Sequence, residues 1–378
     1  MKHIHLHLTI YIAILLGLPS CENEIPYTPE MKQPCLVMNA LLEAGDDKTN
    51  EVFLYLSTGD NLGKLNKDAA LSLFINGRLA ETPQEADPDK QVPPSGSYTE
   101  NFGYKKYYFT TPLRPGDLVR LEATAQGGTL RATAEVQVPQ PPQDFRVDTC
   151  TVPLNMGSSI VTPHRRYLVA VNDIANENNH YRLDIRNQFL VRYHIYEYLR
   201  DEQGNFIEDE NHNLIYTERD SLSTQVYSDL INREDIILTD GNVSHSQEDE
   251  DNLMFPRIEN KYNIFTDNRF RNSSATLKVY TRLYDDFAAN PIYGITYGNT
   301  YCTQSIHIRL LNLTADYYRY LKALNCLDDD DYDTTLMEPV SLPCNVNGGI
   351  GFVGIATPCE IVITFPERTC RNTSSSSL

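Results

Sequence analysis

Apolar and polar residues alternate in short runs over residues 34–138, and turn residues separate the runs at the spacing of an all-β sandwich. Residues 36–42, 52–56 and 71–75 are apolar or alternating, and Asn76-Gly77 directly after them is a strong hairpin signal. A Pro-rich, acidic loop at 82–96 interrupts the series. It resumes with 104–110, a turn at Arg114-Pro115-Gly116-Asp117, then 118–125, a turn at Gly127-Gly128, and 129–138. About seven strands in this stretch predict an immunoglobulin-like or fibronectin-like sandwich, with a small barrel as the alternative closure. Pro139-Gln140-Pro141-Pro142 then stiffens the chain into an extended spacer, and a domain boundary is expected there.

A second, larger β-rich domain is expected over 143–371. It opens with strand-like runs at 145–153 and 166–171, and its most legible element is 180–200. There Tyr181, Leu183, Ile185, Phe189, Val191, Tyr193 and Ile195 share one face, while Arg182, Asp184, Arg186, Gln188, Arg192 and His194 share the other. That is a strand with one buried and one wet side, long enough to bend or project as a ribbon. It should turn near Gln203-Gly204-Asn205 and return through 213–216. The polar region 221–252, ending in the acidic run 247–251, reads as a loop. Alternation returns at 276–284 and 305–313. Thr314 then reads as an N-cap with Asp316 in the first turn, and Tyr317, Tyr320, Leu321 and Leu324 form the apolar face of a single short helix. Residues 346–365 supply the final strands, and 372–378 is a polar tail.

The first 20 residues have a different pattern. Lys2 precedes an apolar run at 8–18, too short to span a bilayer, followed by Leu18-Pro19-Ser20-Cys21. A small residue directly before a cysteine resembles the lipobox at which bacterial lipoproteins are acylated and cut, making Cys21 the lipidated first residue of the mature chain. Residues 21–33, polar and punctuated by Pro26 and Pro29, would be the tether. The formal charge of −19 becomes about −20 once Lys2 is removed, which disfavours nucleic acid and anionic headgroups as partners. Seven further cysteines, at 35, 150, 302, 326, 344, 359 and 370, leave at least one thiol free within a single chain. Cys344 with Cys359 and Cys302 with Cys326 are the candidate pairs.

Few motifs carry chemistry. Gly349-Ile350-Gly351-Phe352-Val353-Gly354 has the spacing of a dinucleotide-binding loop, but Ile355-Ala356-Thr357-Pro358 after it cannot start the helix that such a loop needs. Close backbone packing is the better reading. The acidic stretch 328–333 lacks the ligand spacing of a calcium loop and reads as solvated. Histidines 164, 180, 194, 212, 245 and 307 are scattered without zinc-site spacing, and no nucleophile elbow occurs, so neither cofactor nor metal is expected. Two tyrosine clusters are candidate ligand-binding surfaces: Tyr104, Tyr107 and Tyr108 with Lys105 and Lys106, and His194, Tyr196 and Tyr198.

Leu36-Val37-Met38-Asn39-Ala40, Leu113-Arg114-Pro115-Gly116-Asp117, Val138-Pro139, Phe265-Thr266-Asp267-Asn268-Arg269-Phe270, the stretch 311–324, and Glu338-Pro339-Val340 through Asn347-Gly348-Gly349-Ile350-Gly351 follow the lipobox and tether in that order. Together they resemble the domain-of-unknown-function family numbered 4249, outer-membrane lipoproteins of Bacteroidota, over nearly the whole mature chain. The resemblance implies a surface-exposed lipoprotein anchored in the outer membrane, a binding or lid component that works beside a TonB-dependent nutrient transporter and is not an enzyme. It supplies no catalytic residues. A structural or adhesive surface protein and a surface hydrolase are the alternatives.

Overall fold

The computed structural model describes residues 33–58, 62–63, 65, 68–86, 104–155, 161–238, 260–283, 295–328 and 340–370. The signal segment, Cys21 and most of the tether, most of the 82–96 loop, the acidic run at 247–251, most of the 328–333 stretch and the C-terminal tail lie outside these residues. The described chain is mainly β, as its alternation predicts, with one α-helix among the described residues.

The first sandwich is built from β1 (Cys35–Glu43), β2 (Asn50–Ser57), the two-residue β3 (Leu62–Gly63), β4 (Ala70–Ile75), β5 (Arg78–Glu81), the two-residue β6 (Gln84–Glu85), β7 (Lys105–Phe109), β8 (Leu118–Ala125) and β9 (Leu130–Gln137). In one layer β2 lies between β1 and β7, and the other has the order β5-β4-β8-β9. Every second side chain points inward, so Leu36, Met38, Ala40 and Leu42 of β1 meet Leu71 and Leu73 of β4 and Val119, Leu121 and Ala123 of β8 in one apolar core. Asn76 and Gly77, with φ of +53° and +80°, make the tight turn from β4 to β5.

The second core lies between two layers. One is β10 (Gln143–Asn155), β11 (Val161–Asn172) and β15 (Ser274–Arg282). Facing it are β12 (His180–Tyr198), β14 (Ile264–Thr266) and β16 (Ile295–Leu313), with Tyr167, Val169 and Val279 on one side and Tyr181, Leu183, Ile306 and Ile308 on the other. β13 (Tyr216–Tyr227) pairs along the outer half of β12, so Ser221–Tyr227 is strand where loop was expected. Its alternation is hidden because both faces keep polar side chains. The helix, α1 (Ala315–Leu327), starts as expected, with the Thr314 hydroxyl accepting from the Tyr317 amide at 3.3 Å.

One strand joins the two halves. β17 (Ile350–Thr364) runs parallel to β1 through its first half and antiparallel to β16 through its second, while β18 (Arg368–Cys370) pairs with β16. The result is a single sheet of order β13-β12-β16-β17-β1-β2-β7-β6. Residues 34–138 therefore do not close the first sandwich by themselves: Val346, Val353 and Ile355 complete its core, and Cys359, Ile361 and Ile363 pack against the second. The Pro-rich segment is not a free spacer either, since the Pro139 carbonyl accepts from the Thr357 hydroxyl at 2.7 Å and the Gln140 carbonyl from Asn312 Nδ2 at 2.9 Å. Neither expected disulfide is present: Cys302, Cys326, Cys344 and Cys359 are all free. Cys302 is buried beside Phe189 and Val191, whereas Cys344 is exposed.

Candidate functional site

The outer face of the shared sheet, opposite both cores, carries a groove at the seam. Helix α1 lies across β17 here, because Phe352 and Ala356 turn outward and pack with Tyr317 and Leu321. Gly354 has no room for a side chain: a Cβ there would lie 2.7 Å from Tyr317 Cγ. Gly349 and Gly351 likewise face β1, with added Cβ atoms 2.4 Å from the Leu36 carbonyl oxygen and 2.2 Å from that of Met38. The glycine motif thus serves the parallel pairing and the helix contact, the close-packing role its flanking residues suggested.

The groove has a volume of about 430 Å³, within the range of small-molecule sites. Tyr320 stacks face to face on Phe352 on one side, at 4.3 Å between centroids and an interplanar angle of 3°. Phe53 and Glu51 of β2 stand on the other, with Asn39, Leu41 and Glu43 of β1 as the floor and Lys48 and Thr49 at one end. Leu41 is 48% exposed, an apolar contact offered to solvent. Asn50 fixes the floor through both ends of its amide, accepting from the Glu43 amide at 2.8 Å and donating to the Glu43 carbonyl at 3.1 Å. Asn39 Oδ1 accepts from the Phe352 amide at 3.0 Å and so ties β1 to β17.

Charge at the inner end is organised by Arg309 of β16, whose side chain is only 7% exposed. It donates to Glu43 at 2.6 Å and reaches Asp184 of β12 at 3.5 Å, and so links the two sandwiches. Burial opposes ionisation of the Glu43 carboxyl, but Arg309 and then Lys48 outweigh it and hold the group below its ordinary value. A general acid for glycoside cleavage needs the opposite shift. The geometry suits binding: two aromatic walls, an apolar floor and an ionic end.

The first tyrosine cluster is divided by the strand's alternation. Tyr107 is 3% exposed, its hydroxyl donates to the Ala69 carbonyl at 2.6 Å, and burial followed by nearby Glu85 pushes its pKa up to about 12, so it is a core residue and not a surface candidate. Tyr104 faces outward and packs on Phe53 and Tyr55 at 5.9 and 5.6 Å, extending the aromatic wall beyond the groove. Lys106 pairs with Glu51 at 2.6 Å, and the Tyr108 hydroxyl donates to Gln84 at 2.8 Å. His194, Tyr196 and Tyr198 come together elsewhere, at the far end of β12, where Tyr216 packs edge-on against both tyrosines. Phe53, Tyr320, Phe352, Glu43 and Arg309 carry no local signal; they converge from segments hundreds of residues apart.

Fold and site together define a double β-sandwich protein with an aromatic-walled groove on its shared sheet. The family model for the domain of unknown function DUF4249 matches residues 22–360, and the chain belongs to that family. No curated protein matches it.

Proposed function

We propose that the protein is a non-enzymatic binding lipoprotein, held in the outer membrane by acylated Cys21, facing the cell exterior and serving a TonB-dependent transporter as its nutrient-binding or lid component. The groove supports this reading most directly: it pairs flat aromatic faces with an ionic end, in a volume that admits a small ligand. The Glu43 carboxylate at that end, paired with Arg309 and Lys48, keeps lone pairs that can accept from a ligand hydroxyl or N–H. Acyl chains on Cys21 would supply a stable anchor, and no helix among the described residues is long and apolar enough to cross a membrane.

Purification in mild detergent together with a tagged TonB-dependent barrel of the same cell tests the reading. A stable pair supports it. A solitary protein, or a deletion strain with normal nutrient uptake and lost cell contact, replaces it with an adhesive role. Cys21→Ala is expected to leave both sandwiches folded while the chain leaves the washed membrane fraction; retention there would require a different anchor.

A further inference from the structure

The shared sheet ends in an arm. β12 stays packed as far as Phe189 and Val191, which are buried beside Cys302, and from Val191 to Tyr198 it runs on for about 23 Å at a strand's rise of roughly 3.3 Å per residue. Beyond it the chain repeats itself: Asp201-Glu202-Gln203-Gly204-Asn205-Phe206-Ile207 is followed eight residues later by Asp209-Glu210-Asn211-His212-Asn213-Leu214-Ile215. Both copies fold alike. Asp201 Oδ1 accepts from the Gln203 and Asn205 amides at 2.9 and 2.8 Å, and Asp209 Oδ1 from those of Asn211 and Asn213 at 2.8 and 2.9 Å. Gly204 and His212 occupy the same left-handed turn position, at φ of +85° and +64°.

The copies close into a ring with the end of β12. The Ile207 amide donates to the Leu199 carbonyl, Ile215 to Ile207 and Leu199 to Ile215, at 3.0, 2.9 and 2.9 Å. This rigid tip presents apolar groups outward: Leu199, Phe206, Ile207, Leu214, Ile215 and Tyr216 are each between 37% and 46% exposed. Alternation divides them into two sets, Leu199, Ile207 and Ile215 around the ring and Phe206 and Leu214 on the other face, and exposed apolar groups at a hairpin end, where polar ones are usual, mark a contact surface. Around it, residues 197–220 carry eight carboxylates against two arginines. Glu202 and Glu210, at matching places in the two copies, form no ion pair with another described residue.

We propose that this tip docks into an apolar recess with a Lys/Arg rim on the exterior surface of the transporter, an inference that rests on the transporter reading above. A convex acidic knob repels a second copy of itself and an anionic lipid surface, and it complements a basic-rimmed protein cavity. Pre-ordering by the two Asp-anchored turns lowers the entropy lost on docking.

The test uses the full lipidated chain co-expressed with a tagged TonB-dependent barrel of the same cell. Phe206→Asp combined with Leu214→Asp is expected to lower the chain recovered with the barrel by about tenfold or more, as loss of central apolar anchors does. Glu202→Lys with Glu210→Lys, at exposed positions that cannot disturb folding, is expected to lower recovery several-fold and to flatten its salt dependence. A photo-crosslinker at position 206 should capture the barrel, and one at exposed Leu79 should not. Recovery of both variants at the wild-type level while the wild-type pair persists overturns the docking and leaves the transporter reading standing. A crosslink to a second copy or to lipid also overturns the docking, and failure of the wild-type pair removes both proposals.

Discussion

Gly351→Ala probes the strand that joins the two sandwiches. At φ of +119° an alanine backbone is strained by about 1–3 kcal/mol. Its Cβ would also stand 2.2 Å from the Met38 carbonyl oxygen, a main-chain atom held in the β1–β17 pairing that cannot swing aside as a side chain could. Overpacking of this kind costs about 1–3 kcal/mol more, so roughly 2–6 kcal/mol should be lost from a total of order 5–15. Gly77→Ala is the control: its φ is +80° but no atom lies within 4 Å of the added Cβ, so it feels the backbone strain without the collision. Urea unfolding of residues 22–378 should show a midpoint lowered by about 0.7–2 M for Gly351→Ala, given a slope of about 3 kcal/mol/M. Because the substitution loosens the only parallel pairing between the halves among the described residues, the transition should also begin to split in two. A Gly351→Ala midpoint equal to that of Gly77→Ala would refute the parallel pairing itself.

The remaining predictions concern the seam, the arm and the helix. Glu43 has a folded pKa below its ordinary 4.5, so the stability it contributes is present above pH 4.5 and lost as pH falls through the lower folded value; in acid titration monitored by circular dichroism, Glu43→Gln should lack that component. His194 Nδ1–H donates to the Asp220 carboxylate at 3.0 Å, which raises its pKa above 6.5, so Asp220→Asn should bring the imidazole titration followed by NMR back down. Thr314→Ala removes the cap on α1 and should cost about 1 kcal/mol in thermal or urea unfolding, leaving the groove's Tyr320 less firmly stacked on Phe352.

Most of the strands, the Asn76-Gly77 hairpin and the capped helix were legible in the sequence, because period-two alternation, turn chemistry and capping act between residues close together in the chain. It also showed that the glycine motif had no helix to follow it. That β17 is shared between two cores emerges in the folded chain alone, since parallel pairing of residue 37 with residue 350 leaves no trace in either segment's own pattern. Tyr107 passed for a surface tyrosine because alternation places a side chain on one of two faces without saying which face is inside. The two-copy, eight-residue repeat at the arm's tip is present in the sequence, but its copies gain meaning only from the hydrogen-bonded ring that they close with Leu199. Arg309, Glu43 and the aromatic walls are the extreme case: a groove is a property of surfaces brought together, and its residues are selected by position in space and not by any spacing along the chain.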